Sequence, residues 1–318
     1  MVSPRGLETE GVYDYLWWGF CEWAPTHSYY SQVSQYTMKV AITASDAFVA
    51  PYIIEALGDS AVIVPDEILS DNMALDIMLT PCKALIHINS RPVDTSVTRN
   101  DRETKILMRE AARPVLDAVN RHGELHMIIV GTLRVHPPWS PGDDYYGPES
   151  SLSPRDTAAE GQLWIEENAL ERAESSRPVS VIRASNVQGV PMDGPPGNGL
   201  LHRWANESQI GWINVPGSGD DIKDLIHVED LVQVILSVLG DPPLTRESFA
   251  VGSGKGITMS ELAQIYNAKT GASIELNQNS EGEVWGIVDA WFLDHRCGFK
   301  PTISLEEMID ESLGASGY

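Results

Sequence analysis

The chain has 318 residues, 42% of them hydrophobic, a length and content that build a large core as one α/β unit or two lobes. With 45 acidic against 22 basic side chains its formal net charge is −23 at pH 7, a field that repels nucleic acid and anionic membrane surfaces. Cys21, Cys82 and Cys297 lie far apart without CxxC spacing and the histidines form no HxH or HExxH pattern, so a reducing, cytoplasmic setting and no metal are expected.

Residues 1–37 are set off from the rest by their aromatics: Tyr13, Tyr15, Trp17, Trp18, Phe20, Trp23, Tyr29, Tyr30 and Tyr36. They lack the basic start and apolar core of a signal peptide. Two readings stand: an aromatic arm, ordered or not, that packs on the body or a partner, and an extension ahead of a natural start at Met38-Lys39-Val40. From Met38 short apolar runs alternate with helical patterns. The runs at 39–43, 61–64, 84–88, 126–131 and 179–183 predict strands, and 47–57, 101–121 and 156–174 predict helices. This alternation implies βαβ units and a doubly wound parallel sheet of Rossmann type. After about 185 the chain becomes rich in Gly and Pro, as in Pro191-Met-Asp-Gly-Pro-Pro-Gly-Asn-Gly199. Shorter helices follow at 228–239, 258–270 and 304–313, with Thr258 or Ser260 as one cap and Ser304 as another. No run of about 18 apolar residues occurs, so no membrane span is expected.

The stretch Lys39 to Leu57 reads as strand, tight turn and helix with the rhythm of a dinucleotide-binding fingerprint, and Ala44, Ala47 and Ala50 stand where its glycines belong. The first glycine makes the turn, the second lets the backbone approach a pyrophosphate, and the third lets helix and strand lie close. Alanine at the third is harmless. At the first it costs about 1–2 kcal/mol if the turn needs a positive φ. At the second, its methyl group is expected to point toward the phosphates.

Further motifs follow in order. Ala84-Leu-Ile-His-Ile-Asn89 is similar to "DxVIHLA", and Ile128-Ile-Val-Gly-Thr-Leu-Arg-Val-His136 to a strand ending in "SSxxVYG". Ile182-Arg-Ala-Ser-Asn-Val-Gln-Gly189 is similar to "LRxxNVYG", and Gly217 to Leu231 to "GxGxxxRDFIHVDDL". Phe249-Ala-Val-Gly-Ser-Gly and Cys297-Gly-Phe-Lys-Pro-Thr-Ile-Ser-Leu305 are similar to "YNVGSG" and "LGWxPxxSL". Together with Thr43 to Leu57 as "TGxxGxxG", these make the chain from Met38 to Leu313 resemble the extended short-chain dehydrogenase/reductase family, the NAD-dependent nucleotide-sugar epimerases and dehydratases.

The resemblance implies an NAD(P)-binding Rossmann-type domain over 38–185 and a smaller, mainly substrate-binding lobe over 186–318. It implies a cofactor site at Thr43, Ala44, Ala47, Phe48 and Val49, with Asp66 placed to read the adenosine ribose, unless that Asp merely opens a helix. Asn186 and Lys223 take the places of substrate-binding residues, Lys223 keeping the charge of an arginine without its bidentate fork. The chemistry needs a Ser/Thr, a Tyr and a Lys. Thr132 fits the first. Within Ser153 to Glu166, one register sets Ala158 at the Tyr and Gln162 at the Lys, and the other sets Thr157 and Gly161 there; neither supplies a phenol or an ammonium. Tyr145 and Tyr146, upstream on a Gly/Pro-rich loop, read as packing aromatics or stand-ins. Arg183 reads as a fold residue, and Asp224, His227 and Asp230 as residues that cap and orient the helix at 228.

Gly252-Ser-Gly-Lys-Gly256 breaks the P-loop pattern, and Asp220, Asp221 and Asp224 read as a solvated cluster. The expected function is a diverged family member without standard hydride transfer, a non-catalytic protein that binds a nucleotide or small molecule such as a nucleotide-sugar. NAD or NADP binding is expected to be weak or lost. The alternatives are an active NAD(P)-dependent sugar-nucleotide epimerase, dehydratase or reductase, and a non-redox cyclase or isomerase. Pairing is expected through the helices at 101–121 and 156–174, as a homodimer or with an intact paralogue.

Overall fold

The computed structural model describes residues 38–44, 47–88, 101–192, 199–240, 244, 246–278 and 286–317. The aromatic segment 1–37, Asn89 and most of the Gly/Pro-rich loop at 191–199 lie outside the described residues. The first half of the chain runs β1 (Lys39–Thr43), α1 (Ala50–Leu57), β2 (Ala61–Ile63), α2 (Asn72–Leu79), β3 (Cys82–Ile88), α3 (Asp101–Arg121), β4 (His126–Thr132), α4 (Thr157–Glu171) and β5 (Val179–Ala184). The second runs β6 (Asn186–Gln188), α5 (Leu200–Gln209), β7 (Trp212–Pro216), β8 (Ile222–His227), α6 (Val228–Gly240), β9 (Ser248–Val251), β10 (Gly256–Thr258), α7 (Met259–Thr270), β11 (Ser273–Asn277), α8 (Trp291–Cys297) and α9 (Leu305–Ala315).

Six strands form one parallel sheet in the order β2-β1-β3-β4-β5-β9. Such strands are covered on both faces, which is why they read as unbroken apolar runs in the sequence. Val40, Ile42, Ile86, Ile128 and Ile182 face α1 and α6 on one side. The alternate residues Ala41, Leu85, Ile129 and Val181 face α2, α3 and α4 on the other. A separate cluster joins α5, α7 and α9 to β7, with Trp204 and Tyr266 crossing edge to face at 5.9 Å. Small sheets β10-β8-β6 and β11-β7 complete the C-terminal part.

The chain leaves β1 outward to β2, then returns across it to β3. Neighbouring connections therefore diverge at β1 and β3, and the crevice beyond the carboxyl ends of those strands is where open α/β sheets receive ligands. The predicted strands and the helices at 101–121, 156–174, 228–239, 258–270 and 304–313 are found within a few residues of their expected ends. The first helix begins at Ala50 rather than 47. Its lead-in is spent on a turn in which Ala47 N donates to Ala44 O at 3.0 Å and Ala50 N to Ala47 O at 2.8 Å, and Pro51 then opens the helix. Helices α2, α5 and α8 and the two small sheets are additions to the sequence reading.

Candidate functional site

Of the β1–α1 turn, Ala44 and the residues from Ala47 onward are described. Ala44 has φ +54°, so the left-handed conformation is retained at the expense of a Cβ clash. The Ala47 methyl does not stand over the crevice as expected from the sequence: Ala47 is 2% exposed and its side chain is packed into the hydrophobic cluster with Val49 and Ala50. Phe48 meets Tyr52 edge to face at 5.9 Å, and the Tyr52 hydroxyl donates to the Val190 carbonyl, tying α1 to the loop after β6. Asp66 opens a single 3-10 turn after β2 and is exposed. At the ends of β1 and β3, Thr43 Oγ1 and His87 Nδ1 are hydrogen-bonded at 2.8 Å. Burial drives the His87 pKa down to about 4, so the ring is neutral, and its Nε2 has no partner among the described residues.

The residues expected at a reacting end lie on α4 and at the end of β4. Asp156 caps α4 by accepting from Ala159 N at 2.8 Å, which sets Ala158 in the first turn. Gln162, one turn on, is 2% exposed and turns away along its own helix: its Nε2 donates to Glu166 Oε1 at 2.8 Å. Glu166 Oε2 in turn accepts from Arg183 Nε at 3.0 Å, and both members of this ion pair are buried. The Gln162 amide lies over Gly131 of β4, where a Cβ would collide with it. Gly161 faces elsewhere, against Met108 of α3 at 3.0 Å from an added Cβ. Burial raises the Glu166 carboxyl, and the Arg183 charge opposes that rise. Thr132 Oγ1 accepts from Arg134 N at 3.3 Å and so caps the short turn after β4. Tyr146 is a packing residue: its hydroxyl donates to the Pro137 carbonyl and accepts from Arg155 Nη2 at 2.7 Å, and its ring stacks on His136 at 4.8 Å. Tyr145 is 50% exposed.

Asn186 on β6 pairs in register with Leu225 of β8, so it and Lys223 share one face of the small sheet; Lys223 is buried. Three neighbours expected to cap α6 divide otherwise. His227 Nδ1 accepts from Glu229 N at 3.2 Å at the helix start, and its Nε2 donates to Glu311 Oε2 at 2.9 Å. Asp224 points the other way and does not cap. It accepts from Ser253 N and Oγ at 2.7 Å and from Gly254 N and Val288 N at 3.0 Å. Asp230 holds the later loop through Thr302 and Ile303. The Ser253 and Gly254 amides of the P-loop lookalike are thus spent on Asp224, which sits on the alternate face of β8 from Lys223.

The sequence reading did not connect Gln162, Glu166 and Arg183, or Thr43 and His87. The spacing of Gln162 to Glu166 by one helical turn was the available signal. Of the turn's described residues, Ala44 has a positive φ and the Ala47 side chain is buried in the core. Ala158 carries no ionisable group, and the Gln162 amide is engaged with Glu166. Among the described residues no group of three or more His, Cys, Asp or Glu is arranged to hold a metal ion, and no helix is long and apolar enough to cross a membrane.

No family model and no curated protein matches this chain. Solved structures do. It is similar to UDP-glucuronic acid 4-epimerase from Bacillus cereus, in complex with UDP-glucuronic acid and NAD, at 15% identity and TM-score 0.75 over 88% of this chain and 99% of that one. RMD from Pseudomonas aeruginosa, complexed with NADPH, aligns at 16% identity and TM-score 0.76 over 88% and 99%. UDP-glucose 4-epimerase with UDP-glucose from Thermotoga maritima aligns at 17% identity and TM-score 0.73 over 87% and 98%. The fold of this chain is that of the NAD-dependent epimerases and dehydratases of the extended short-chain dehydrogenase/reductase family.

Proposed function

We propose that this chain is a diverged member of that family that binds a nucleotide or nucleotide-sugar without hydride transfer. The observation that carries the reading is Gln162: where the family's lysine would hold the nicotinamide ribose, this side chain is folded onto Glu166 beneath Ala158, which has no proton to give. The retained turn at Thr43, Ala44, Ala47, Phe48 and Val49 supports a pyrophosphate site, with Asp66 beyond β2 for the ribose. The two-lobe division, 38–185 for cofactor and 186–318 mainly for ligand, follows from the same reading. Asn186 and Lys223 are its nucleotide-sugar contacts, and the Thr132 hydroxyl, already a cap, is the only member of the catalytic set retained. Pairing with a second copy or an intact paralogue through α3 and α4 is supported by the exposed Ile106 and Leu107 of α3 and Leu170 of α4.

Calorimetric titration of NAD, NADPH and UDP-glucose against the full chain tests this reading. The expected outcome is measurable binding with no change in nicotinamide absorbance when cofactor and UDP-glucose are supplied together. Cofactor turnover by the unaltered chain would overturn the non-catalytic reading; absence of binding at millimolar ligand would overturn the nucleotide reading. Replacing Ala158→Tyr and Gln162→Lys together asks whether only the acid/base pair is missing.

A further inference from the structure

Gln188 occupies the place of the tyrosine in the "NVYG" pattern and is 1% exposed. Its amide is held by two backbone groups that cannot exchange roles. Its Nε2 donates to the Val187 carbonyl at 3.0 Å, and its Oε1 accepts from Leu201 N at 3.0 Å, in the first turn of α5. A carbonyl only accepts and an amide N–H only donates, so the Gln188 amide has one orientation. The second Nε2 hydrogen goes to Asn186 Oδ1. That sets the Asn186 amide too: with its oxygen accepting from Gln188, the Nδ2 group is turned to the other side of the amide as the donor end. Asn186 is half-buried and begins β6 directly after Ser185, whose Oγ is buried beside the carboxyl end of β5 and has no partner.

We propose that Gln188 is a positioning residue that presents Asn186 as a hydrogen-bond donor, so that the group received at the β5–β6 junction is an oxygen acceptor of the bound ligand. This rests on the reading of the crevice as a nucleotide-sugar site, and it adds a selection rule to it. The amide cannot flip while Gln188 stays in place, so an acceptor oxygen gains a hydrogen bond from Nδ2 here that a group with donors alone does not.

The test is a double-substitution cycle on the full chain with UDP-glucose as the probe, each variant checked for folding by thermal unfolding. Asn186→Ala is expected to weaken UDP-glucose about tenfold, the loss of one hydrogen bond to an acceptor oxygen. Gln188→Met, similar in shape without polar atoms, is expected to weaken it severalfold, and to add nothing in the Asn186→Ala background. Gln188→Glu only accepts at both oxygens; it draws the Asn186 Nδ2 toward itself, turns Oδ1 outward and weakens the probe more than Gln188→Met does. Equal effects of Gln188→Met in both backgrounds would mean that Gln188 acts through the fold and would overturn the proposal. A ligand-free measurement separates its failure from that of the site reading: the Asn186 side-chain amide resonances in 15N spectra are expected to move in Gln188→Met. If they stay, the positioning role falls whatever binds. If they move and UDP-glucose does not bind, the role stands and the nucleotide-sugar reading falls.

Discussion

Ala44 holds a conformation that glycine adopts without strain, and this was half visible in the sequence. The motif showed that an alanine had replaced the glycine; only the structure shows that the turn kept φ +54° and absorbed the strain. Ala44→Gly is therefore expected to stabilise the chain. Relief of about 1–2 kcal/mol of left-handed strain exceeds the roughly 0.4–1 kcal/mol lost to the more flexible unfolded chain. Urea unfolding should show a gain of several tenths to about 1 kcal/mol, and no gain would place the turn outside the left-handed region. The buried pair was less legible. Glu166 and Arg183 are separated by a strand, a loop and half a helix, and no local pattern links them. Arg183→Met leaves Glu166 in the interior with the Gln162 amide as its side-chain hydrogen-bond partner among the described residues. Uncompensated burial of that kind costs about 3–5 kcal/mol. The joint change Arg183→Met with Glu166→Leu should recover most of the loss, because apolar neighbours of similar volume tolerate each other there. A double variant as unstable as the single one would show that the cost comes from packing and not from the stranded charge.

Elements with a strong period or a strong cap were readable; those defined by long-range pairing were not. The 21 residues of α3 carry one apolar face, and the interval read from the sequence matches the helix end to end. For α7 the sequence left Thr258 and Ser260 open as caps, and the structure selects Thr258. Its side chain accepts from Glu261 N at 3.1 Å while the Glu261 carboxylate accepts from Thr258 N at 3.0 Å, a reciprocal box. Helix α9 repeats this with Ser304 and Glu307. Helix α2 carries a start signal in Asp71, which accepts from Met73 N and Ala74 N. Strands β6, β8 and β10 take their identity from pairing across tens of residues, which three- to six-residue segments cannot announce. At this scale Thr258→Ala should lower stability by about 1 kcal/mol, as loss of an N-cap does, whereas Ser260→Ala should change it by less than about 0.5 kcal/mol. Thermal melts of the two variants decide between them, and equal losses would mean that the reciprocal box does not govern the start of α7.

For the molecule as a whole, acid stability is set by which groups were buried neutral. Burial lowers His87, His126 and His136 to about 4, from a value near 6.5 in an unfolded chain. A depressed folded value means that the unfolded state takes up the proton first. Stability from these groups is complete above about pH 6.5 and falls as pH drops toward 4. Glu166 and Asp224 act in the opposite sense, because burial raises both and the folded state gains their protons earlier on acidification. The histidine contribution is isolated by comparing two pH dependences. His136 is the cleanest choice: it is fully buried, its Nδ1 is bonded to the Ser151 carbonyl at 2.9 Å, and it lies outside the crevice turn. In His136→Gln the group that cannot charge in the fold is gone. Whatever the variant does to stability at neutral pH, its loss between pH 7 and pH 5 should be smaller than that of the unaltered chain by roughly 2 kcal/mol, about 1.5 pK units at 1.36 kcal/mol each. Urea unfolding at the two pH values measures the difference. Equal losses would mean that His136 titrates in the folded protein as it does in the unfolded one, and that its ring is reached by solvent.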